Sequence, residues 1–157
     1  MPEGTLPLLL LGPVLLFAAW SDLSRMRIPN ALSLIAVALF AGSVLAGLVP
    51  DAPARLGVAA AVLGLGFAAF AAGLFGGGDV KFLAALMLFV PVPALTLYAW
   101  VFCAAMALGM LLVLSLRRVP ALQATGWRSM QPGHHFPMGI SIALSGLALP
   151  VALAAIG

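Results

Sequence analysis

Long apolar runs are the sequence feature that most limits what this chain can fold into. Six runs follow one another, at residues 6–20, 31–49, 56–75, 82–90, 94–116 and 137–156. A helix that crosses a bilayer needs about 20 apolar residues, and most of these runs approach that length. Hydrophobic residues make up 64% of the 157 residues and charged residues 7%. A soluble domain is about half apolar and about a quarter charged, so a soluble globule and a nucleic-acid binder are both excluded.

The fold predicted from these runs is an all-α membrane protein. We expect a polytopic bundle of about six transmembrane helices, because an apolar run in lipid satisfies its backbone polar groups by forming a helix. Short connections leave no room for a second folding unit, so residues 1–157 are predicted to form a single transmembrane domain. The lipid bilayer is its first predicted partner.

Basic residues are distributed very unevenly over the connections between the runs. With six spans, alternate connections fall on opposite sides of the membrane, and one side receives Arg55 alone. The other side receives Arg25, Arg27, Lys81, Arg117, Arg118 and Arg128. Cytoplasmic loops of membrane proteins carry the excess of Lys and Arg. The side rich in basic residues is therefore predicted to be cytoplasmic, with both chain termini outside and the protein in the cell inner membrane.

The fourth run is too short to cross a bilayer. Counted from Asp79 to Val90, it covers roughly 18 Å as a helix, whereas the hydrocarbon core is about 30 Å thick. Three glycines, residues 76–78, precede it, and Pro91 and Pro93 follow it. Irregular backbone persists at membrane depth only where it is buried in protein or lines a wet cavity. We therefore expect the glycine segment to dip below the cytoplasmic surface and form a water-accessible notch around Asp79.

Two of the acidic residues are predicted to lie on the same side of the membrane. Asp22 follows the first run and Asp79 precedes the fourth, whereas Glu3 and Asp51 fall on the outer side and are assigned no role. Ionisable groups near the membrane interior are costly and indicate functional sites. The alternative is that each is an ordinary loop or capping carboxylate, and Asp79 could cap the helix that follows it.

Two carboxylates that meet in a wet notch favour one kind of chemistry. Like charges a few ångströms apart cannot both ionise easily, so the pair shares a proton. One carboxylate can then activate water while the protonated partner polarises a peptide carbonyl. This aspartic-protease chemistry needs no metal and no other cofactor, and none is predicted. The glycines at 76–78 are expected to permit positive φ and a close approach of the substrate backbone to Asp79.

The segments around both aspartates resemble a known family. Residues 76–81, Gly-Gly-Gly-Asp-Val-Lys, are similar to the glycine–x–glycine–aspartate signature of intramembrane aspartyl proteases. Residues 22–30, which contain Asp22 and Ile-Pro-Asn at their end, resemble the first-aspartate segment of type IV prepilin peptidases. Residues 136–140, Phe-Pro-Met-Gly-Ile, are similar to the Pro-x-Gly opening of that family's last helix. The likeness is greatest to the short form that serves tight-adherence (Flp-type) pilus systems, with archaeal preflagellin peptidases as relatives.

The resemblance implies an aspartic endopeptidase that removes the basic leader from prepilins at the cytoplasmic membrane face. Its implied partners are a prepilin or pseudopilin substrate and the pilus assembly machinery. Longer members carry an N-terminal cytoplasmic domain with paired cysteines and methyltransferase activity, which is not expected here. The resemblance gives Asp22 and Asp79 the catalytic roles. It gives substrate-binding or supporting roles to Gly76, Gly78, Lys81, Pro29 and Asn30.

Some alternatives are left open by the sequence. Lys81 either pairs with a carboxylate and lowers its pKa or lies at the membrane interface. His134 and His135 have no cysteine or carboxylate beside them, which disfavours a metal site. Paired carboxylates near a glycine break also occur in ion-coupled carriers, although these often contain two related halves and none is evident here. A non-catalytic scaffold for secretion or pilus assembly would tolerate the loss of both aspartates.

Overall fold

The protein is described by a computed structural model over residues 6–120, 127–130 and 136–156. All regular structure in these residues is helical, which confirms the all-α class. The α-helices are α1 Leu6–Leu10, α2 Gly12–Arg25, α3 Asn30–Leu45, α4 Ala52–Ala71, α5 Gly77–Met87, α6 Leu95–Leu116 and α7 Met138–Ile156. Short 3₁₀ helices occupy Val92–Ala94 and Arg128–Met130.

Three helical segments are long and apolar enough to cross a membrane. They are Ala52–Ala71, Val92–Leu116 and Met138–Ala155. Large apolar side chains on the outside of these segments are widely exposed, with Leu65 at 74%, Leu111 at 62% and Val151 at 72%. Such a surface is stable only where hydrocarbon is the solvent, so the chain is a membrane protein. The count of six spans stays a prediction.

Helix α5 lies at the centre of the bundle. It packs against α4 and α3 and also contacts α7, which itself packs along α2 and α6. Its side chains from Ala84 to Met87 are all buried, as is Phe82. A helix surrounded by protein does not have to match the thickness of the bilayer, because its ends find partners in neighbouring helices. This explains how the fourth apolar run can be short.

The end of α5 is held by a buried arginine. Arg55 is 2% exposed. Its Nη1 donates to the Phe89 carbonyl oxygen at 3.0 Å, and its Nε donates to Asp51 Oδ1 at 2.8 Å. Carbonyls at a helix end lack partners within the helix, so the guanidinium supplies one. From the sequence, Asp51 has no assigned role and Arg55 serves only to set topology. In the structure, Arg55 contacts the segment that follows α5, and Asp51 pairs with Arg55.

Candidate active site

Asp22 lies in the last turn of α2 and is almost fully buried. It is 4% exposed, and its Oδ2 accepts a hydrogen bond of 2.7 Å from the Gly139 backbone N–H. Gly139 lies in the first turn of α7, where backbone N–H groups have no partner inside the helix and the helix dipole is positive. The start of α7 therefore fixes the orientation of the Asp22 carboxylate.

The chain turns sharply immediately after Asp22. Met26 adopts a left-handed conformation with φ of 53°, and its N–H donates to the Asp22 carbonyl at 2.8 Å. Ser21 Oγ donates to the Arg27 carbonyl at 2.8 Å and closes the turn. Pro29 is extended and precedes α3, which begins at Asn30. This turn brings Pro29 and Asn30 back towards the first aspartate.

Asp79 lies in the first turn of α5 and is half-buried. The residue that precedes the helix is Gly76, and no side chain caps the helix by a hydrogen bond, so Asp79 is not the capping carboxylate of the alternative interpretation. A Cβ on Gly76 would lie 2.6 Å from Asp79 Oδ2. A Cβ on Gly78 would lie 3.2 Å from the Ile28 carbonyl oxygen. The two glycines thus leave room for the carboxylate and for the segment that leads into α3.

The expected positive φ at residues 76–78 is wrong. Gly76 has φ of −76°, and Gly77 and Gly78 already belong to α5. The glycines with positive φ in the described residues are Gly47 and Gly73, and Gly73 lies in the turn that follows α4. The glycine segment therefore matters for its missing side chains rather than for a left-handed backbone.

Both aspartates line the same two cavities. The larger one, which we call the aspartate cavity, measures about 650 Å³. The smaller one measures about 350 Å³ and is also bounded by residues 136–138 before and at the start of α7. The aspartate cavity brings together most of the residues that the sequence selected, namely Asp22, Asp79, Gly76, Gly78, Pro29 and Asn30. The α2, α3, α5 and α7 helices each contribute one end to this region.

The charge of Asp79 influences the ionisation of Asp22. Both lie outside the apolar runs, since Asp22 follows the first run and Asp79 precedes the fourth. Burial raises the pKa of Asp22, the charge of Asp79 raises it further, and the N–H groups of Gly139 and Ile140 lower it. Burial also raises the pKa of Asp79. Raised pKa values in neighbouring carboxyl groups allow the pair to retain one proton near neutral pH.

Lys81 does not pair with either aspartate. Its Nζ donates to Asn30 Oδ1 at 3.4 Å, and it does not line the aspartate cavity. Among the residues that the structure describes, the ion pair is the one between Asp51 and Arg55. Of the two alternatives for Lys81, pairing with a carboxylate or lying at the membrane interface, the contact with Asn30 agrees with the second. Glu3, His134 and His135 lie outside the described residues.

The connection between α6 and α7 contributes contacts that sequence reasoning did not find. Ser129 is fully buried, and its Oγ donates a hydrogen bond to the Leu23 carbonyl. Its own carbonyl accepts a hydrogen bond of 2.7 Å from Arg117 Nε.

Gly139, in the first turn of α7, also lies against the first aspartate, because a Cβ on Gly139 would lie 2.7 Å from Asp22 Oδ2. The Pro-x-Gly pattern at 137–139 was the available signal for Gly139, whereas no pattern marked Ser129.

Comparison with known families agrees with this site. The model of the Type IV leader peptidase family matches residues 9–115, a segment that contains both Asp22 and Asp79. No curated protein and no solved structure matches the chain. The match covers more than half of the 157 residues. The chain therefore belongs to the type IV leader peptidase family.

Proposed function

We propose that this peptidase is an aspartic endopeptidase that removes the basic leader from Flp-type prepilins or pseudopilins. The observation that supports this proposal most directly is that Asp22 and Asp79, which come from two different helices, line the same cavities. The charge of Asp79 also contributes to the raised pKa of Asp22. An ordinary pair of loop carboxylates would not be expected to converge in a shared, partly enclosed space.

The proposed reaction uses only these two carboxyl groups and a water molecule. Asp22 is the more buried of the two and starts protonated, while Asp79 starts as the carboxylate. Asp79 takes a proton from water, whose oxygen attacks the scissile carbonyl carbon, and Asp22 donates its proton to the carbonyl oxygen. Asp79 then returns its proton to the leaving nitrogen, and Asp22 recovers one from a hydroxyl as the C–N bond breaks. No metal or other cofactor takes part.

The supporting residues are proposed to shape the space for the substrate. Gly76 and Gly78 keep side chains away from Asp79 and from the segment before α3. Pro29 and Asn30 line the aspartate cavity, and Lys81 acts through its bond to Asn30. All of these residues belong to the one transmembrane domain proposed for residues 1–157.

The proposed site faces the cytoplasm from the cell inner membrane. Arg25, Arg27 and Lys81 lie close to it in sequence, and this basic character is typical of cytoplasmic loops. In this position the enzyme would meet prepilins before they join the pilus assembly machinery. Methyltransferase activity forms no part of the proposed function.

Co-expression with an Flp-type prepilin tests the proposal. We expect the wild-type protein to remove the leader, and Asp22→Asn and Asp79→Asn each to leave the prepilin intact. Asparagine keeps the size of the side chain and an oxygen that can accept the Gly139 N–H, so loss of processing reports chemistry rather than packing. Normal processing by either variant, detected by intact mass of the pilin, would contradict the mechanism.

A further inference from the structure

A groove that shares only Asn30 with the aspartate cavity opens between α3 and α4. Helix α5 packs closely against both helices, whereas α3 and α4 have little or no contact with each other, so all three helices bound the groove. We call this space, of about 530 Å³, the lysine groove. Small side chains from α4 and α5 make its floor low and smooth, namely Ala59, Ala60, Ala84 and Ala85.

The lysine groove is polar at one end and apolar along the rest of its length. Its polar residues are Asn30 and Ser33 from the first turn of α3 and Lys81 from the start of α5. From Lys81 the groove continues along α5 to Leu88, a distance of about 10 Å at 1.5 Å per residue. Leu34, which lines its wall, is 68% exposed. The groove is therefore amphipathic and opens sideways towards the lipid.

The charge at the polar end has no counter-ion among the described residues. Lys81 is exposed, and it makes no ion pair within the part of the chain that the structure describes. Its contact with Asn30 Oδ1, at 3.4 Å, is long and engages one of the three N–H groups of the ammonium. The other donors remain available to an anion that approaches along the membrane surface.

We propose that the lysine groove binds an acidic phospholipid from the surrounding bilayer. The phosphate lies against the Lys81 ammonium and the Asn30 amide, and one acyl chain lies over the alanine floor. A zwitterionic lipid offers no net negative charge to the ammonium, and a basic peptide would be repelled by it. Acidic lipids are attracted by about 1 kcal/mol for each Lys or Arg near the headgroups, which is roughly fivefold in affinity. The groove shares Asn30 and Lys81 with the supporting residues of the proposed peptidase but contains neither aspartate, so lipid binding can be measured apart from cleavage.

Lipid binding to the purified protein tests the site. Dioleoyl-phosphatidylglycerol and dioleoyl-phosphatidylcholine are titrated into detergent-solubilised protein, and bound lipid is counted by native mass spectrometry. We expect phosphatidylglycerol to bind more tightly, with about a fivefold loss of affinity in Lys81→Gln. Arg118→Gln is the matched control, since it removes one positive charge outside the groove, and it should bind like the wild type.

A separate variant tests the apolar part of the groove, which is proposed to hold the acyl chain. Ala60→Trp fills the floor and keeps the lysine, and Ala60 is exposed, so the helix bundle should tolerate the change. We expect it to abolish the tight phosphatidylglycerol binding. Soluble glycerol phosphate, used as a probe of the headgroup alone, should bind far more weakly than the lipid.

Photo-crosslinking gives a readout that needs no variant. A phosphatidylglycerol with a diazirine on its acyl chain should label the wild-type protein at the wall and floor residues of α3, α4 and α5. Labelling concentrated instead on the exposed face of α6 would overturn the proposal. Equal affinity for the two lipids, equal effects of Lys81→Gln and Arg118→Gln, or equal binding of glycerol phosphate would overturn it as well.

Discussion

Asp22 is the most tightly held residue of the site. It is buried at the end of α2, receives the Gly139 N–H and lies within the electrostatic influence of Asp79. The half-buried Asp79, in contrast, makes no side-chain hydrogen bond among the described residues. Asp22 is thus the carboxyl group whose position depends most on its neighbours. Changes to the neighbours of Asp22 should therefore affect cleavage strongly.

Gly139→Ala should slow cleavage by about 10²-fold, the typical cost of misplacing a catalytic group by about 1 Å. A Cβ at this position would lie 2.7 Å from Asp22 Oδ2, so the carboxylate has to move. Gly57→Ala is the matched control, because a Cβ there would meet nothing within 4 Å. Cleavage rates of a prepilin peptide by the two purified variants provide the measurement, and a wild-type rate for Gly139→Ala would contradict the expected displacement.

The folding stability of the Asp22→Asn variant, relative to the wild type, should increase as the pH rises. A carboxyl group whose pKa is raised by folding binds its proton more tightly in the folded state, so wild-type stability falls as the pH rises above about 4, the value for an unfolded Asp. Asparagine does not titrate. At pH 8 the melting temperature of the Asp22→Asn variant in detergent should exceed that of the wild type by at least about 2 °C, and the difference should shrink towards pH 4. A difference that is independent of pH would show that folding leaves the pKa of Asp22 unchanged.

At the scale of elements, α5 is the part of the fold that depends most on its neighbours. It is short, central and buried, and its C-terminal end relies on the Arg55 guanidinium. Pro91 and Pro93 predicted a break after Val90, and α5 ends a few residues earlier, at Met87. The sequence could not show which group satisfies the carbonyls that follow this end. That partner comes from α4, 34 residues earlier in the chain. Local patterns report helix length and breaks, whereas contacts between distant residues depend on packing.

Asp51→Asn should lower the free energy of unfolding by about 1–3 kcal/mol, because it leaves the charge of buried Arg55 uncompensated. Glu3→Gln removes a carboxylate in the same chemical way and should leave stability unchanged. Thermal unfolding in a mild detergent is the measurement. An Asp51→Asn variant as stable as the wild type would show that the ion pair does not hold the end of α5.

At the scale of the whole molecule, the sequence predicted much of the architecture. Composition and apolar runs predicted an all-α membrane protein, and the structure confirms that class. The convergence of Asp22 with Asp79 was inferred from topology and family resemblance, while the part played by Gly139 depends on how α7 docks against α2. The expectation of positive φ at residues 76–78 was wrong because the sequence cannot specify the backbone there: glycine permits that conformation without requiring it.

Both aspartates are predicted to face the cytoplasm, and this orientation can be measured. In a Cys103→Ala background, a cysteine at position 118 should react with a membrane-impermeant maleimide only after the cells are opened. A cysteine at position 48, on the opposite side, should react in intact cells. The expectation rests on the six-to-one division of basic residues between the two sides. The reverse labelling pattern would contradict the cytoplasmic site.

The central claim is that Asp22 and Asp79 together hydrolyse the leader peptide bond. Its most direct test is single-turnover cleavage of an Flp-type prepilin by the purified protein in proteoliposomes. Asp22→Asn and Asp79→Asn should each lower the rate by about 10²–10⁴-fold, the usual contribution of a general acid or base, and Glu3→Gln should keep the wild-type rate. A rate within a few-fold of the wild type for either aspartate variant would contradict the claim.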